Sequence, residues 1–452
     1  MNFLLTLCEI ALIASGCYFT WQFRAFYILH PLKTLRAMPK DGTKQMLLSL
    51  GGTVGVGNIV GVSVAIALGG SGSVFWMWVG ALVAMALKYA EITLGMIVRG
   101  GAPHYIKKAL GGFAAALFAV LLIVDAVVMG GMIQASAVSD AMYSAFKLSP
   151  VVCGIFLSFA AAIVFFFNID LFRLSSVVVP LMSVGYTVCA LAVIAVNAPK
   201  IPQVMQNIFE NAFKANSAAG GALGFLFTPA ARQGIVKGLF SNEAGCGTAP
   251  MAHAASKEKV PAKQGLFGVV EVFVDTIFMC TLTALAILLT DADATGGVGA
   301  CMDAFSTVFK SAAPPLLSAA VLLFAFAAIV SFGYYGTQSL DWFRVGEKSK
   351  NVFLLVYSVS VFVGATLSPS LAWKIADAVV CIMLLVNVTA VMLSRKTVLA
   401  AHRDLYSHIG KSSHKASSTR SFSPASIKNA SPMSDSDINL GSMPRFTQNR
   451  AK

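Results

Sequence analysis

The chain has 452 residues, of which 57% are hydrophobic and only 12% charged, with a formal net charge of +13 and a mean hydropathy of +0.76. A soluble globular chain carries about 25% charged residues, so a soluble enzyme is excluded and a polytopic membrane protein indicated. The positive excess then reads as basic loops facing anionic lipid, not as a nucleic-acid surface.

A spanning helix needs about 20 apolar residues. Eleven segments qualify, centred in 3–24, 45–69, 73–98, 113–146, 150–168, 175–197, 232–255, 265–290, 314–340, 351–367 and 371–394. The first, with the basic loop that follows, makes a unit over 1–44. It lacks a basic start and a cleavage site, so it reads as a retained helix. Helices two to six fill 45–197, and the span 113–146 is long enough to tilt strongly or protrude. A mixed-polarity connection, 198–231, contains a candidate interfacial helix from Gln203 to Phe213. Helices seven to eleven fill 232–395. The tail, 396–452, is basic, Ser-rich and poor in aromatics, which predicts disorder.

Lys and Arg alternate between loops. The loop at 24–44 holds Arg24, Lys33, Arg36, Lys40 and Lys44, and every second loop after it is basic, including Lys257, Lys259 and Lys263. The alternation predicts an outside amino terminus and a cytoplasmic carboxyl terminus in a cytoplasmic membrane. The eight cysteines are scattered and form no C-x-x-C cluster, so they read as small apolar residues. No GxSxG, GxxxxGK[ST] or HExxH motif occurs, and no enzymatic cofactor is expected.

Two stretches break the apolar pattern. Residues 51–58 read GGTVGVGN and residues 240–250 read FSNEAGCGTAP. Irregular backbone at membrane depth survives only where it lines a cavity or is buried in protein. Paired Gly-interrupted segments in corresponding positions of two halves point to a transporter's binding site, and five spans following five spans fit an inverted repeat. In the first stretch Gly51, Gly52, Gly55 and Gly57 permit unwinding, and Thr53 and Asn58 add polar groups. Freed amides suit a carboxylate, and freed carbonyls suit a cation. The alternative is that the glycines merely allow close helix packing. In the second stretch Gly245 and Gly247 loosen the helix beside Ser241, Asn242 and Thr248. Glu243 either balances a substrate ammonium, carries a proton, or caps free amides between the half-helices.

Further polar groups within spans are Lys88, Glu91, Asp125, Gln134, Glu271, Asp275, Lys374 and Asp377. Lys88 and Glu91, three apart, are expected to pair across one helical turn. Gln134, after Gly130 and Gly131, is a site candidate, and Asp275 either lines an ion route or binds its own bundle.

TVGVGNIVGVSVAIALGG with VFWMWVGALVAMALKYAE, and GLFSNEAGCGTAPMAHAASKEKVPAKQG, resemble two extended blocks of the alanine or glycine:cation symporters. The resemblance runs over roughly residues 10–395. It implies an all-α, leucine-transporter-like fold, a 5+5 inverted repeat plus one extra helix, eleven transmembrane helices in all. It implies cation-coupled import of a small neutral amino acid (alanine, D-alanine or glycine) by alternating access, with Na+, or alternatively H+, as coupling ion. A channel, a transporter-like sensor and a carrier of another amino acid are the alternatives. Carried over, the amides of Val56, Gly57 and Asn58, with Thr53 and Gly55, would hold the substrate carboxylate. Phe240, Ser241, Asn242, Gly245, Gln134 and Phe332 would complete the pocket. Gly51, Val54, Ala327 and Ser331 would form the cation site, with Glu243 and Asp275 as coupling or structural carboxylates. The family usually reads LFAFSTILGWSYYGE where this chain reads LFAFAAIVSFGYYGT, so Ala327 and Ala328 replace two hydroxyls and Phe332 a Trp.

Overall fold

The computed structural model describes residues 2–39, 41–214, 228–368 and 370–412. Among them every regular element is helical: α1 (Asn2–Gln22), α2 (Thr43–Thr53), α3 (Val60–Gly69), α4 (Gly72–Val98), α5 (Gly112–Asp125), α6 (Gln134–Phe146), α7 (Pro150–Phe166), α8 (Leu171–Val196), α9 (Pro229–Asn242), α10 (Ala249–His253), α11 (Pro261–Val272), α12 (Thr281–Thr290), α13 (Val298–Phe309), α14 (Ala313–Trp342), α15 (Glu347–Thr366), α16 (Ser370–Leu393) and α17 (Arg395–Ser412), with shorter helices between them.

Helix starts follow from local chemistry. The side chains of Ser149, Asp170 and Thr228 accept amides of Val152, of Phe172 and Arg173, and of Ala231. These are N-caps on α7, α8 and α9. Pro150, Pro229 and Pro261 occupy first turns, where a missing N–H costs nothing. α4 and α6 end where Arg99 and Lys147 turn left-handed.

Among the described residues, eight helical stretches are long and apolar enough to cross a membrane, and α2 with α3 forms a ninth, bent by 58°. Length and apolarity alone do not reach the expected eleven. α7 has 17 residues, and the segment expected at 232–255 is divided into α9 with 14 and α10 with five. The long span expected at 113–146 contains a π segment, Ala126–Ile133, between α5 and α6, and a second π segment, Phe273–Cys280, joins α11 to α12. A helix, Ile201–Ala212, occupies most of the stretch expected to be interfacial and buries Val204, Ile208 and Ala212. α17 occupies the first part of the segment read as a disordered tail; 413–452 lie outside the described residues.

The burial pattern inverts that of a soluble protein. Val177, Leu181, Val184 and Val188 of α8, and Val352, Leu355, Val356 and Val359 of α15, are each more than half exposed. In water such stripes would drive aggregation; in hydrocarbon they carry no penalty. Polar groups instead collect inside, around α4. That helix packs most extensively against α9 and α11. Gly234 makes the first contact possible, because a Cβ there would lie 2.8 Å from Trp76 Cβ and 3.0 Å from the Met77 amide.

Candidate binding site

α2 stops at Thr53, whose buried hydroxyl donates back to the Leu50 carbonyl. Gly55 is extended, and one short 3-10 turn, Val56–Asn58, precedes α3. The backbone groups left over at this break are met by side chains. The Gly55 amide donates to Asn58 Oδ1 at 3.0 Å, and the Val56 amide donates to Gln134 Oε1 at 3.3 Å. The second contact is long for an amide hydrogen bond. Asn58 Nδ2 donates to the carbonyl and to Oδ1 of Asp275, at 3.0 and 2.8 Å.

The second break runs from Glu243 to Thr248, between α9 and α10. Glu243, Gly245 and Gly247 all have positive φ, a backbone state that costs a side-chain-bearing residue about 1–2 kcal/mol. Ser241 Oγ donates to Asp275 Oδ2 at 2.8 Å, Thr276 Oγ1 donates to the same oxygen at 2.7 Å, and Asn242 Nδ2 donates to Thr276 Oγ1. Asp275 therefore ties both breaks to one carboxylate. The breaks also touch directly: Gly57 faces the Ser241 Cα, 3.7 Å from where a Cβ would lie. Phe240 lies in α9, and its side chain is outside the described residues.

Two expectations are corrected. Lys88 does not pair with Glu91. Its Nζ sits 3.2 Å from Glu271 Oε2 and donates to the Asn242 carbonyl at 2.7 Å. Glu91 instead accepts the Gly245 and Gly247 amides at 3.3 and 3.1 Å, and Asn387 Nδ2 at 2.8 Å. The capping considered for Glu243 is thus carried by Glu91, and Glu243 Oε2 accepts from Thr248 Oγ1 at 2.6 Å. Lys88 and Glu91 lie on adjacent turns, but α4 is enclosed on nearly all sides and each finds a stronger partner on another element. Asn387, which also donates to the Gly245 carbonyl and accepts from Tyr105, has no motif around it that marks it in sequence.

Of the residues suggested for a cation site, Gly51, Ala327 and Ser331 come together. Ser331 Oγ is 2.7 Å from the Leu48 carbonyl and 2.9 Å from the Ala327 carbonyl. A Cβ on Gly51 would lie 3.1 Å from that hydroxyl and 3.5 Å from the Ala327 methyl, and one on Gly55 would lie 3.6 Å from the Ala328 methyl. Val54 is buried at the end of the same turn. Two methyl groups thus face the break where the resemblance implies hydroxyls. Phe332 is buried against Gly130 and stacks edge-on with Tyr335 at 5.5 Å.

A cavity of about 350 Å³ opens beside the first break, lined by Val56, Val60, Ile133, Ser136, Asp140 and Trp373 among others. Its size falls in the range of ligand sites, roughly 300–1,000 Å³. No group of three or more His, Cys, Asp or Glu with metal-ligand geometry occurs among the described residues. The arrangement offers amide dipoles at the head of α3, a glutamine and a serine at the breaks, and carboxylates behind them. Of the residues expected to hold substrate, only Val56 lines the cavity; Asn58, Gln134 and Ser241 are buried apart from its lining.

The model of the sodium:alanine symporter family matches residues 2–420. A Bacillus subtilis protein named "Probable sodium/glutamine symporter GlnT" is 32% identical, over 87% of this chain and 87% of its own. YrbD of the same organism, whose name describes a sodium/proton-dependent alanine carrier, is 34% identical over 79% of each chain. The sodium/alanine symporter AgcS of Methanococcus maripaludis is 30% identical over 86% of this chain and 92% of its own. Among solved structures, a manganese transporter of Eremococcus coleocola has the same fold, with a TM-score of 0.50 and 14% identity over 77% of this chain and 76% of that one.

Proposed function

The chain belongs to the sodium:alanine symporter family, and from that premise we propose that it imports a small neutral amino acid, alanine (L or D) or glycine, coupled to a cation. The single observation that carries this reading is the pair of facing breaks, with Gly57 against Ser241 and Asp275 bonded to both. The Val56 amide is held by a long contact to Gln134, which a substrate carboxylate can displace.

An eleven-helix, 5+5 inverted repeat is supported by how the breaks are braced. The second helix of the first half, α4, holds the second break through Glu91 and Lys88. The second span of the second half, α11 with its π segment, holds the first break through Asp275 and through Glu271, which accepts from Ser49. Each half grips the broken helix of the other, as a two-fold exchange requires. Alternating access then moves this braced unit about a midplane site. The charge pattern supports a cytoplasmic-membrane location with the cavity beside Val56 on the outer side and the carboxyl terminus inside.

Na+ is the ion the family name supports. A proton is the second reading, favoured by the methyl groups of Ala327 and Ala328 where a Na+ site wants oxygen. The name of GlnT keeps a larger amino acid, glutamine, as a second substrate reading. Uptake of labelled alanine, glycine and glutamine into proteoliposomes, under Na+ and H+ gradients imposed separately, tests all of this. Accumulation above the outside concentration with alanine or glycine is expected. Uptake that stops at equality would mark a channel, and accumulation driven by neither gradient would end the symport reading.

A further inference from the structure

Besides the cavity at the first break, a groove of about 260 Å³ opens between α8, α13 and α14. Its lining residues are uncharged. The hydroxyl that lines it, of Tyr186, is already bonded to Thr283 Oγ1 at 2.6 Å. An apolar space of this kind stays dry and takes apolar guests. The groove is a notch in one helix ridge. Residues four apart share a ridge, and on α8 that ridge reads Leu181, Gly185, Cys189. Nothing lies within 4 Å of where a Cβ on Gly185 would sit. Facing the notch, α14 offers the small side chains of Ala319 and Ala320. The floor is made by buried Tyr186 and Phe305, whose rings stack at 5.7 Å.

The mouth of the groove opens where the protein meets hydrocarbon. Leu181 is 61% exposed and Leu316 41%, and Leu181 belongs to the same exposed stripe of α8 as Val177, Val184 and Val188. Both α8 and α14 lie in stretches long and apolar enough to cross a membrane. The part of α14 that lines the groove, 316–323, lies roughly 5 to 15 Å from the start of the helix at 1.5 Å per residue. That depth fits within one leaflet of a hydrocarbon core about 30 Å thick. Exposed Lys310 stands three residues before α14 begins, at the end of the span where lipid phosphates lie.

We infer that this groove seats one acyl chain of a bilayer phospholipid, with the lipid phosphate at Lys310. An unfilled trough forfeits dispersion contacts along its whole lining. Water finds no hydrogen-bonding partner in it, and at this depth hydrocarbon tails are the molecules on hand. Lys310 supplies the charge complement, since a cation at the membrane surface attracts the anionic headgroup. The site is continuous with the lipid-facing stripe of α8 but differs from it in being concave, so that it grips a chain on three sides where the stripe touches it on one. The charge pattern of the loops assigns this lipid to the outer leaflet. The inference is independent of which amino acid or ion the protein carries.

The test uses the purified full chain in nanodiscs of phosphatidylcholine that carry a small share of phosphatidylglycerol with a photoactivatable diazirine near the middle of its acyl chain. Peptides that gain lipid on illumination are then mapped. The reference is the stripe at 352–359 of α15, which faces the same hydrocarbon. Adducts on 181–189 and 316–323 are expected to exceed those on the reference by about tenfold, one decade being about 1.4 kcal/mol of preference. G185L, which plugs the notch, is expected to bring them down to the reference level. K310E is expected to lower them severalfold and to leave the reference unchanged. Wild-type adducts no denser in the groove than on α15 would mark ordinary contact with bulk lipid and overturn the inference, however the variants fold. A groove shielded from the probe, with chain-to-chain cross-links formed at Cys189 by a bis-maleimide, would assign it to a second copy of the chain and overturn it likewise. Enrichment that survives G185L would place the acyl chain outside the notch, and enrichment that K310E leaves intact would overturn the headgroup contact.

Discussion

At the scale of single residues, the buried side chains that brace the breaks should outweigh those that touch solvent. Glu91 accepts two backbone amides and the Asn387 amide. Removing it leaves three buried donors without partners, at roughly 1–3 kcal/mol each. E91A is therefore expected to lower the melting temperature of the purified protein markedly. E91Q, which keeps one acceptor oxygen, should fall between E91A and the wild type; equal melting of all three would mean that water replaces the carboxylate. Asn58 presents a different balance, since its amide spans Gly55 and Asp275. N58A should lower alanine affinity by at least about tenfold, one bonded donor to a charged group being worth roughly 1.5–3 kcal/mol. Equilibrium binding of labelled alanine in detergent reads this directly, and unchanged affinity would remove Asn58 from the site. His402 on α17 stacks on Phe23 at 4.3 Å and bonds Tyr89 through Nδ1 at 3.0 Å. Burial pushes its imidazole down to about 4, against about 6.5 in an unfolded chain. Between those values the unfolded state binds more protons, so stability rises with pH there and is lost as pH falls from about 6.5 toward 4. The protection factors of amides in 395–405, corrected for the intrinsic exchange rate at each pH, should fall as pH drops through that window in the wild type, and an H402F variant should flatten the response; a wild type whose protection factors ignore pH would contradict the burial of the ring.

At the scale of elements, what the sequence revealed and what it hid have separate physical causes. The breaks were legible because Gly51–Asn58 and Ser241–Thr248 place backbone-permissive residues beside hydrogen-bonding ones inside apolar runs, and only irregular chain needs that mixture. Their partners were not legible. A 3.6-residue period tells which residues share a face, so Lys88 and Glu91 read as a pair, but it does not tell which neighbour the face meets. Enclosed by α9 and α11, α4 sends Lys88 to Glu271 and Glu91 to the break. The π segments at Ala126–Ile133 and Phe273–Cys280 were also hidden, since one extra residue per turn leaves hydropathy unchanged while rotating everything after it. Gly130 and Gly131 were the visible trace of the first. α14 was legible as the apolar segment 314–340, but its suggested place at the cation site was legible only by resemblance, through the missing hydroxyls at Ala327 and Ala328. Restoring them gives the element-scale test. The double variant A327S/A328T puts two oxygens facing Gly51 and Gly55, where the methyl groups lie 3.5 and 3.6 Å from the place a Cβ on each glycine would take. Hard cations take oxygen ligands, so Na+ should stimulate alanine uptake more strongly in this variant than in the wild type. An unchanged Na+ response would show that the cation is held elsewhere.

At the scale of the whole molecule, α4 and α11 meet in a buried ion pair. Lys88 comes from α4 and Glu271 from α11, both fully enclosed. Around them lie Ser49 on α2, His253 on α10, and Gln264, which reaches His253 Nδ1 at 2.7 Å and the Gly42 carbonyl at 3.3 Å. The pair therefore links α2, α4, α10 and α11 through one connected set of buried polar contacts. A buried ion pair is weak evidence for stability, because desolvation offsets most of the attraction. Breaking one side of it is another matter, since the survivor is left as a lone buried charge, at about 3–5 kcal/mol. K88M should thus lose folded protein or melt far below the wild type. K88M/E271M, which replaces both charges with side chains of similar length, should recover much of that loss, leaving His253 with Gln264. If the pair serves only to hold the fold, the double variant should also recover alanine exchange. If it fixes how α4 moves against the second break, the double variant should melt near the wild type yet exchange slowly, because the Asn242 carbonyl has then lost the Lys88 ammonium that tethers the second break to α4. Recovered stability with lost exchange is the expected result, and a double variant no more stable than K88M would show that Lys88 acts through Asn242 alone.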